Sequence, residues 1–230
     1  MAKHIGIVAV STPGAALCYR TICAEGPEIF GQHDHPEITM HNFSLARYMA
    51  HIDADDWDAA GRLLLESARK LADAGADFLI CPDNTAHQAI DLIADKSPRP
   101  WLHIAAEVGA VAVARGYRRV GVLGTRYLME GPVYPTQFSR LKIAHEIPTP
   151  SERARINQII FDELVYERIE AAARAYFRGV IARLADRGCD AVALACTEIP
   201  LLIGETDSPL PILDSTRILA RAALREAAKG

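Results

Sequence analysis

The 230-residue sequence lacks the features that mark several large classes of protein. No apolar run approaches the roughly 18 residues that a membrane-spanning helix needs. The formal net charge is only −4, which gives no reason to expect nucleic acid or an anionic membrane as a partner. The first residues lead directly into an apolar strand, without the layout of a signal peptide. We therefore expect a soluble, cytoplasmic protein.

Metal-binding and nucleotide-binding motifs are also missing. The five cysteines, an odd number, include no Cys-x-x-Cys pair, so neither a zinc site nor a disulfide framework is indicated. Most of these thiols are expected to be reduced and buried. His33-Asp34-His35 precedes Pro36 in a segment rich in loop-forming residues, which predicts a solvated loop rather than a metal site. No Gly-x-Gly-x-x-Gly or Gly-Lys-Ser/Thr loop supports ATP or dinucleotide binding.

What organises the chain is a stretch that occurs twice. Residues 71–85 and 184–198 repeat each other with a constant offset of about 113 residues. Each copy runs from the end of a helix through a glycine to a buried apolar strand, and then to a short polar segment. That segment is Asp83-Asn84-Thr85 in the first copy and Cys196-Thr197-Glu198 in the second.

The duplication extends over most of the chain. Ile5-Gly6-Ile7-Val8 matches Val120-Gly121-Val122-Leu123, and Pro100-Trp101-Leu102-His103 matches Pro211-Ile212-Leu213-Asp214. Alternating strands and helices predict parallel sheets in both halves. We therefore expect an α/β fold of two pseudosymmetric parallel-sheet domains, residues 1–98 plus 212–230 and residues 99–211. The active site is expected in the cleft between them, at the carboxyl ends of the strands, with Asp83 and Cys196 on opposite sides.

The residue pattern also predicts the individual elements. Strands are predicted over residues 4–10, 37–43, 78–82, 101–105, 120–124, 191–195 and 211–214. Helices are predicted from residues 53–58 to 71, over 86–94 and 107–114, and with interruptions over 129–141 and 151–187. Ser11-Thr12-Pro13-Gly14 and Ser215-Thr216 are typical of helix starts.

Four segments in order along the chain resemble the aspartate/glutamate racemase family. They are Asn84-Thr85-Ala86-His87, Gly121-Val122-Leu123-Gly124-Thr125-Arg126, Ile160-Phe161-Asp162-Glu163-Leu164 and Cys196-Thr197-Glu198-Ile199-Pro200-Leu201-Leu202. The match continues to Asp214-Ser215-Thr216 and so covers essentially the whole chain. The resemblance implies cofactor-independent proton transfer at the α-carbon of an amino acid, without pyridoxal phosphate. It also implies two pseudosymmetric α/β domains and a homodimer.

In this family one cysteine from each domain works at the domain interface, one removing the α-proton and the other returning a proton to the opposite face. Cys196 matches the second-domain cysteine, which generally handles the L-enantiomer. The first-domain segment of the family is Cys-Asn-Thr-Ala-His, and this chain has Asp83 where that cysteine belongs. Cys81 lies two positions earlier, and we expect it to pack in the core.

Asp83 therefore admits three interpretations. In an enclosed site beside a substrate carboxylate its pKa would rise, so that a protonated Asp83 delivers a proton to the face opposite Cys196. Alternatively, Asp83 fixes the substrate ammonium group or a water, and only Cys196 exchanges protons. The third interpretation is an ordinary helix cap.

The remaining candidate residues surround the substrate. Asn84, Thr85, Thr125 and Thr197 are candidate donors to the substrate carboxylate, because an enolate needs preorganised hydrogen bonds. Ser11 and Thr12 stand in a loop that borders the substrate in the family, where many members carry a Gly-Gly-Met-Ser type. Arg47 or Arg126 is a candidate clamp for a distal carboxylate, or an ordinary surface arginine. Glu198 is expected to orient the thiol or the substrate, or to begin a helix.

These residues predict an isomerase, a cofactor-independent racemase that acts on L-aspartate or L-glutamate through Cys196 and Asp83. Loss of the first cysteine keeps an alternative open, a single-cysteine decarboxylase, lyase or isomerase of a related carboxylate. A ligand-binding protein without turnover is the third possibility. A small carboxylate is the expected ligand in each case, and no cofactor or metal is expected.

Overall fold

The computed structural model describes every residue from Met1 to Gly230. Its strands are β1 Ile5–Ala9, β2 Ile38–Asn42, β3 Phe78–Ile80, β4 Trp101–Leu102, β5 Arg119–Leu123, β6 Ala144–Glu146, β7 Ala191–Leu194 and β8 Ile212–Asp214. Its α-helices are α1 Thr12–Glu25, α2 Pro27–Phe30, α3 Leu45–Ile52, α4 Trp57–Asp73, α5 His87–Ile93, α6 Ile104–Ala114, α7 Arg126–Glu130, α8 Val133–Arg140, α9 Pro150–Asp162, α10 Ala171–Asp186, α11 Ile199–Leu202 and α12 Ser215–Ala227. None of the helices combines the length and the apolar character that crossing a membrane requires.

The chain divides into two compact units. The first unit is Met1–Ile104 with Thr216–Gly230, and the second unit is Ala105–Ser215. Each unit contains one four-stranded parallel sheet, with strand order β2-β1-β3-β4 in the first and β6-β5-β7-β8 in the second. The two orders are the same when the strands of each unit are counted from its start. The predicted α/β class with two parallel sheets is therefore confirmed.

The core of the first unit forms around β1, which is buried along its whole length. A continuous apolar strand of this kind is typical of a parallel sheet that is covered on both faces. Side chains of β1 and β3, including Ile7 and Ile80, pack in one cluster with Ile22 of α1 and Leu219 and Leu224 of α12. The last helix of the chain therefore belongs to the first unit's core.

The core of the second unit forms around helix α10. Phe177 is completely buried in a cluster with Ile156 and Ile159 of α9 and with Val192 and Leu194 of β7. The apolar face of α10 thus holds β7 in place, and the polar segment that contains Cys196 follows directly from this strand.

Each copy of the repeated stretch turns from helix to strand in the same way. Gly75 after α4 and Gly188 after α10 have φ angles of +96° and +83°, a backbone region that glycine occupies without strain. The amide that follows each glycine donates to a carbonyl of the last helical turn: Ala76 to Leu71 at 3.0 Å, and Cys189 to Leu184 at 3.2 Å. This pattern is the Schellman motif of helix ends. The duplication seen in the sequence therefore extends to matching local structure.

The domain boundaries that we inferred from the sequence do not agree with the way the strands pair in the structure. Those boundaries assign residues 101–102 to the second half and residues 212–214 to the first. In the structure β4 pairs with β3 of the first unit, and β8 pairs with β7 of the second. The proline-rich segment at residues 97–100 is therefore an approach to an edge strand, and the chain passes between units at α6 and α12.

Several local predictions also need correction. The strand predicted over residues 101–105 ends at Leu102, because α6 begins at Ile104. Strand β6 and the short helices α2 and α3 were not predicted. The interrupted helical region at residues 129–141 forms α7 and α8, and that at 151–187 forms α9, a 3-10 turn over Leu164–Tyr166 and α10.

Candidate active site

Most of the predicted site residues of the first unit lie at the carboxyl end of its sheet. Strands β1 and β3 are parallel neighbours, so the segments that follow them emerge at the same edge. Ser11 is buried and precedes α1, while Thr12, its first residue, is exposed. After β3, Asn84 is 2% exposed, and Asp83 and Thr85 are half-buried.

The carboxylate of Asp83 makes a local hydrogen bond. Its Oδ1 atom accepts the backbone N–H of Ala86 at 2.9 Å, in the turn that leads into α5. The contact spans three residues, as a helix cap does, but it stabilises the turn before α5, whose own cap position is Ala86. A carboxyl group can accept a hydrogen bond on one oxygen while the other oxygen carries a proton, so this contact is compatible with more than one interpretation of Asp83.

His87 fixes the backbone of the Asp83 segment. Its Nδ1 atom lies 2.8 Å from the carbonyl oxygen of Asp83, and its Nε2 atom accepts the backbone N–H of Ile104 at 3.1 Å. The two contacts define the neutral tautomer with its proton on Nδ1. Burial, reinforced by the adjacent His103, lowers the pKa of His87 to about 3. His87 belongs to a sequence motif of the family resemblance, but sequence reasoning gave it no role. Its buried position and its two contacts show that it holds the Asp83 segment in place.

Two further buried side chains lie beside the Asp83 segment. Cys81 is completely buried, and burial together with the charge of Asp83 raises the pKa of its thiol. Tyr48 of α3 is 1% exposed, and burial together with the nearby Cys81 and Asp83 raises the pKa of its phenol. Nothing in the sequence around Tyr48 indicates that it lies near Asp83, because α3 itself was not predicted.

Arg47 is exposed on α3, after β2. Its guanidinium group lies over the ring of Phe43, with 4.0 Å between the guanidinium carbon and the ring centroid. Such a cation–π contact restricts the position of the guanidinium group. The structure places Arg47 after the strand next to β1, as the sequence suggested, and a role in carboxylate binding remains a proposal.

In the second unit, three consecutive residues after β7 form a buried polar cluster. Cys196, Thr197 and Glu198 are 6%, 1% and 3% exposed. The Cys196 thiol donates to Oε2 of Glu198 at 2.9 Å, and the Thr197 hydroxyl donates to the same oxygen at 3.1 Å. Glu198 is also the residue before α11. The structure therefore places the thiol in direct contact with a carboxylate.

The segment after β5 lies next to this cluster in the sheet. Strands β5 and β7 are parallel neighbours. Gly124, the residue after β5, lies so close to Ala195 that an added Cβ would stand 2.7 Å from the Ala195 carbonyl oxygen. Thr125 caps α7, its Oγ1 atom accepting the backbone N–H of Leu128 at 3.2 Å. Arg126 is exposed, and its backbone N–H donates to Oδ1 of Asn157 at 2.9 Å.

A family model described as Asp/Glu/Hydantoin racemase matches residues 6–223 of the chain. The chain belongs to this racemase family. The membership confirms the enzyme class expected from the sequence, an isomerase. Among curated relatives, a broad specificity amino-acid racemase of Bacillus subtilis is 23% identical over 171 residues, 74% of this chain and 73% of that protein. A glutamate racemase of Thermus thermophilus is 29% identical over 174 residues, 74% of this chain but 59% of that protein.

Solved structures of racemase relatives have the same fold over the whole chain. A candidate Asp/Glu racemase from Yersinia pestis is 30% identical, with a TM-score of 0.89 and coverage of 98% of this chain and 99% of that one. An aspartate racemase homologue from Pyrococcus horikoshii is 26% identical, with a TM-score of 0.84 and full coverage of both chains. The two-unit fold is therefore that of the racemase family.

Within this racemase-family fold, the sequence-predicted residues fall into one group in each unit. No set of three or more His, Cys, Asp or Glu side chains lies together in a way that could hold a metal ion. The groups contain a thiol, carboxylates, hydroxyls and backbone N–H groups at strand ends. Side chains of these kinds can bind a small carboxylate and move protons.

Proposed function

We propose that the protein is a cofactor-independent amino-acid racemase that acts on an acidic amino acid, aspartate or glutamate. In this proposal Cys196 removes the α-proton of the L-enantiomer, and Asp83 serves the opposite face of the α-carbon. The observation that carries the proposal is the buried Cys196 thiol, which follows β7 and contacts a carboxylate, at the position that the repeat matches with Asp83. Membership of the racemase family supports it.

The chemistry requires both a base and a set of hydrogen-bond donors. Loss of the α-proton turns the substrate carboxylate into an enolate-like group that carries additional charge. Asn84, Thr85, Thr125 and Thr197 stand after strands β3, β5 and β7, and we propose that they donate to this group. Ser11 and Thr12 belong to the same proposal. Arg47 and Arg126 are the proposed partners of the distal carboxylate.

The hydrogen bond of Asp83 favours a second candidate function. Because Oδ1 accepts the N–H of Ala86, Asp83 already caps the turn before α5 and need not take part in proton transfer. A single thiol then suffices for a decarboxylase, lyase or isomerase that acts on a related carboxylate. The same observation is compatible with a protein that binds a small ligand without turnover.

Exchange of the α-proton in D₂O separates these functions. The protein is incubated with L- and D-aspartate and with L- and D-glutamate, and deuterium at the α-carbon is followed by NMR together with chiral analysis. Exchange with inversion is expected for the racemase. Exchange with retention would indicate a one-base enzyme, and absence of exchange with every amino acid would refute the racemase proposal.

Substitutions of Cys196 and of Asp83 test the roles proposed for these two residues. Cys196→Ser should lower the exchange rate by about 100- to 10,000-fold, the range for loss of a positioned acid or base. Cys189→Ser is the matched control, because Cys189 is as buried as Cys196 but precedes β7 instead of following it. Wild-type rates in Cys196→Ser would contradict the role of Cys196.

Asp83→Asn separates proton transfer from capping, since asparagine caps about as well as aspartate but cannot give up a proton. If Asp83 transfers protons, this variant folds normally and exchanges the α-proton of L-substrates without inverting them. Full racemase activity in Asp83→Asn would show that Asp83 only caps. The homodimer implied by the family resemblance is tested separately, by light scattering of the purified protein.

A further inference from the structure

Glu198 has an unusual environment for a carboxylate. It is 3% exposed, and only its Oε2 atom has hydrogen-bond donors, the Cys196 thiol at 2.9 Å and the Thr197 hydroxyl at 3.1 Å. Its Oε1 atom is buried and has no hydrogen-bond partner. Buried carboxylates in proteins are almost always paired with a cation or fully hydrogen-bonded, and an unmade bond at such a group is unfavourable.

The chemistry of Oε1 defines what it can bind. A carboxylate oxygen accepts hydrogen bonds, and it binds a cationic donor more strongly than a neutral one. The carboxylate groups of an acidic substrate would be repelled by Glu198, whereas its α-ammonium group is a cation with N–H donors. Glu152, another buried carboxylate of the second unit, is instead paired with Arg183 and with Thr149. The half-buried Glu163 also has one buried oxygen without a partner, but no thiol of the predicted site donates to it.

We propose that Oε1 of Glu198 binds the α-ammonium group of the substrate, an inference that rests on the proposed racemase function and specifies its substrate as an amino acid with a free amino group. One carboxylate then holds both reaction partners, the thiol on Oε2 and the ammonium group on Oε1. Because the α-carbon is bonded to the ammonium nitrogen, this arrangement brings the α-carbon beside the sulfur atom. Glu198 is thus a substrate-binding residue that also positions the thiol.

The arrangement has a consequence for the thiol. The negative charge of Glu198 opposes the formation of a thiolate on Cys196, because two anions in contact repel each other. An ammonium group on Oε1 compensates this charge. Substrate binding would therefore favour the thiolate that removes the α-proton, and a dicarboxylic acid without an amino group would not have this effect.

Binding measurements with matched ligands test the inference. Isothermal titration calorimetry compares L-aspartate with succinate and L-glutamate with glutarate, pairs that differ in the amino group. Glu198→Gln should weaken amino-acid binding by about tenfold or more, equivalent to about 1.4 kcal/mol, and leave binding of the diacids within about threefold of the wild type. Glu205→Gln, the same change at an exposed carboxylate of the second unit, should bind all ligands as the wild type does.

Other outcomes would overturn the inference. Equal weakening of amino acids and diacids in Glu198→Gln would mean that Glu198 supports the carboxylate site or the fold, and unchanged binding would mean that it has no contact with the ligand. Thermal unfolding verifies that the variant is folded, and Glu198→Asp, which keeps the charge but retracts it, should also weaken amino-acid binding selectively. Wild-type protein that binds succinate as tightly as L-aspartate would overturn the inference without any variant.

The same data distinguish this inference from the proposed function. If amino acids bind in a manner that depends on Glu198 but no α-deuterium appears, the racemase proposal fails and the ammonium site stands. If exchange with inversion occurs and Glu198→Gln affects both ligand types alike, the racemase stands and the ammonium site fails. Wild-type protein that binds none of these ligands overturns both.

Discussion

The neutral state of His87 should make the first unit sensitive to mild acid. The imidazole is completely buried, and its Nε2 atom accepts the N–H of Ile104. A proton on Nε2 would face that N–H donor, so the folded protein cannot hold protonated His87 without breaking the contact. The Asp83 segment is attached to the same ring through Nδ1, and protonation should therefore loosen the proposed active site as well.

The sign and size of the effect follow from the pKa of His87. Burial lowers this pKa from 6.5 to about 3 in the folded state, so the unfolded chain takes up a proton first as the pH falls. The contribution of His87 to stability is fully present above the unfolded pKa and is lost as the pH falls through 6.5 towards the folded value. Each pH unit in this window corresponds to about 1.36 kcal/mol, so the loss is about 2.5 kcal/mol between about pH 6.5 and pH 4.5.

Urea unfolding of His87→Gln and of the wild type measures this loss. Both tryptophans of the chain, Trp57 and Trp101, lie in the first unit, so their fluorescence reports on the unit that contains His87. At pH 7.5 the variant should be less stable by about 1–3 kcal/mol, since glutamine replaces two good hydrogen bonds imperfectly. At pH 4.5 this difference should shrink by about 2.5 kcal/mol, because glutamine does not titrate.

When the stability of His87→Gln is subtracted from that of the wild type at each pH, the contributions of groups that titrate in both proteins cancel. His33→Asn is the control, because His33 is exposed and asparagine tolerates its positive φ angle of 66°. This variant should retain the pH dependence of the wild type. A stability difference between His87→Gln and the wild type that stays constant from pH 7.5 to pH 4.5 would refute the reasoning, as would an imidazole NMR signal of His87 that titrates near pH 6.5.

Three further substitutions should change stability in measurable ways. Phe177→Ala should lower the free energy of unfolding of the second unit by about 3–5 kcal/mol in denaturant titrations, because the ring is completely buried in the core. Gly124→Ala should destabilise the protein and lower the rate of α-proton exchange, because the added Cβ would stand 2.7 Å from the carbonyl oxygen of Ala195, the residue before Cys196. An unchanged melting temperature would contradict this prediction. Asp56→Ala should lower the free energy of unfolding by about 1 kcal/mol in thermal or urea unfolding, because Asp56 caps α4 by accepting the N–H of Ala59 at 2.8 Å. Asp56→Asn should change this free energy little, because asparagine also caps helices.

The sequence alone predicted those parts of the fold that depend on local chemistry. The repeated stretch combines an amphipathic helix, a glycine that accepts a positive φ angle and an apolar strand, and each of these leaves a mark in the sequence. The polar residues after β3 and β7 were predicted in the same way, because they interrupt the apolar runs. Family resemblance supplied the chemical roles, which spacing alone does not give.

The elements that were missed depend on contacts between distant residues. Strand β6 has the sequence Ala144-His145-Glu146, which carries no apolar run, and it forms because β5 supplies its hydrogen bonds at the edge of the sheet. The apolar residues after Leu102 suit a strand or a helix equally, and the helix α6 begins there with the N–H of Ile104 bound to His87. The unpartnered oxygen of Glu198 was equally hidden, since a glutamate at a helix start is usually exposed to water.

Comparison of the two repeat copies also explains why the Asp83 segment and the Cys196 segment should not behave alike. Asp83 and Cys196 occupy equivalent positions, but the carboxylate of Asp83 accepts a hydrogen bond from its own turn, whereas the thiol of Cys196 donates to Glu198. The position equivalent to Glu198 holds Thr85, which cannot bind an ammonium group through a charge.

If the proposed racemase function is correct, proton removal by the thiol and by the carboxylate must have different barriers. The two enantiomers have equal free energies in water, so the ratio kcat/KM must be the same for both. The asymmetry must therefore appear in kcat and KM taken separately, and in unequal deuterium isotope effects for the two directions.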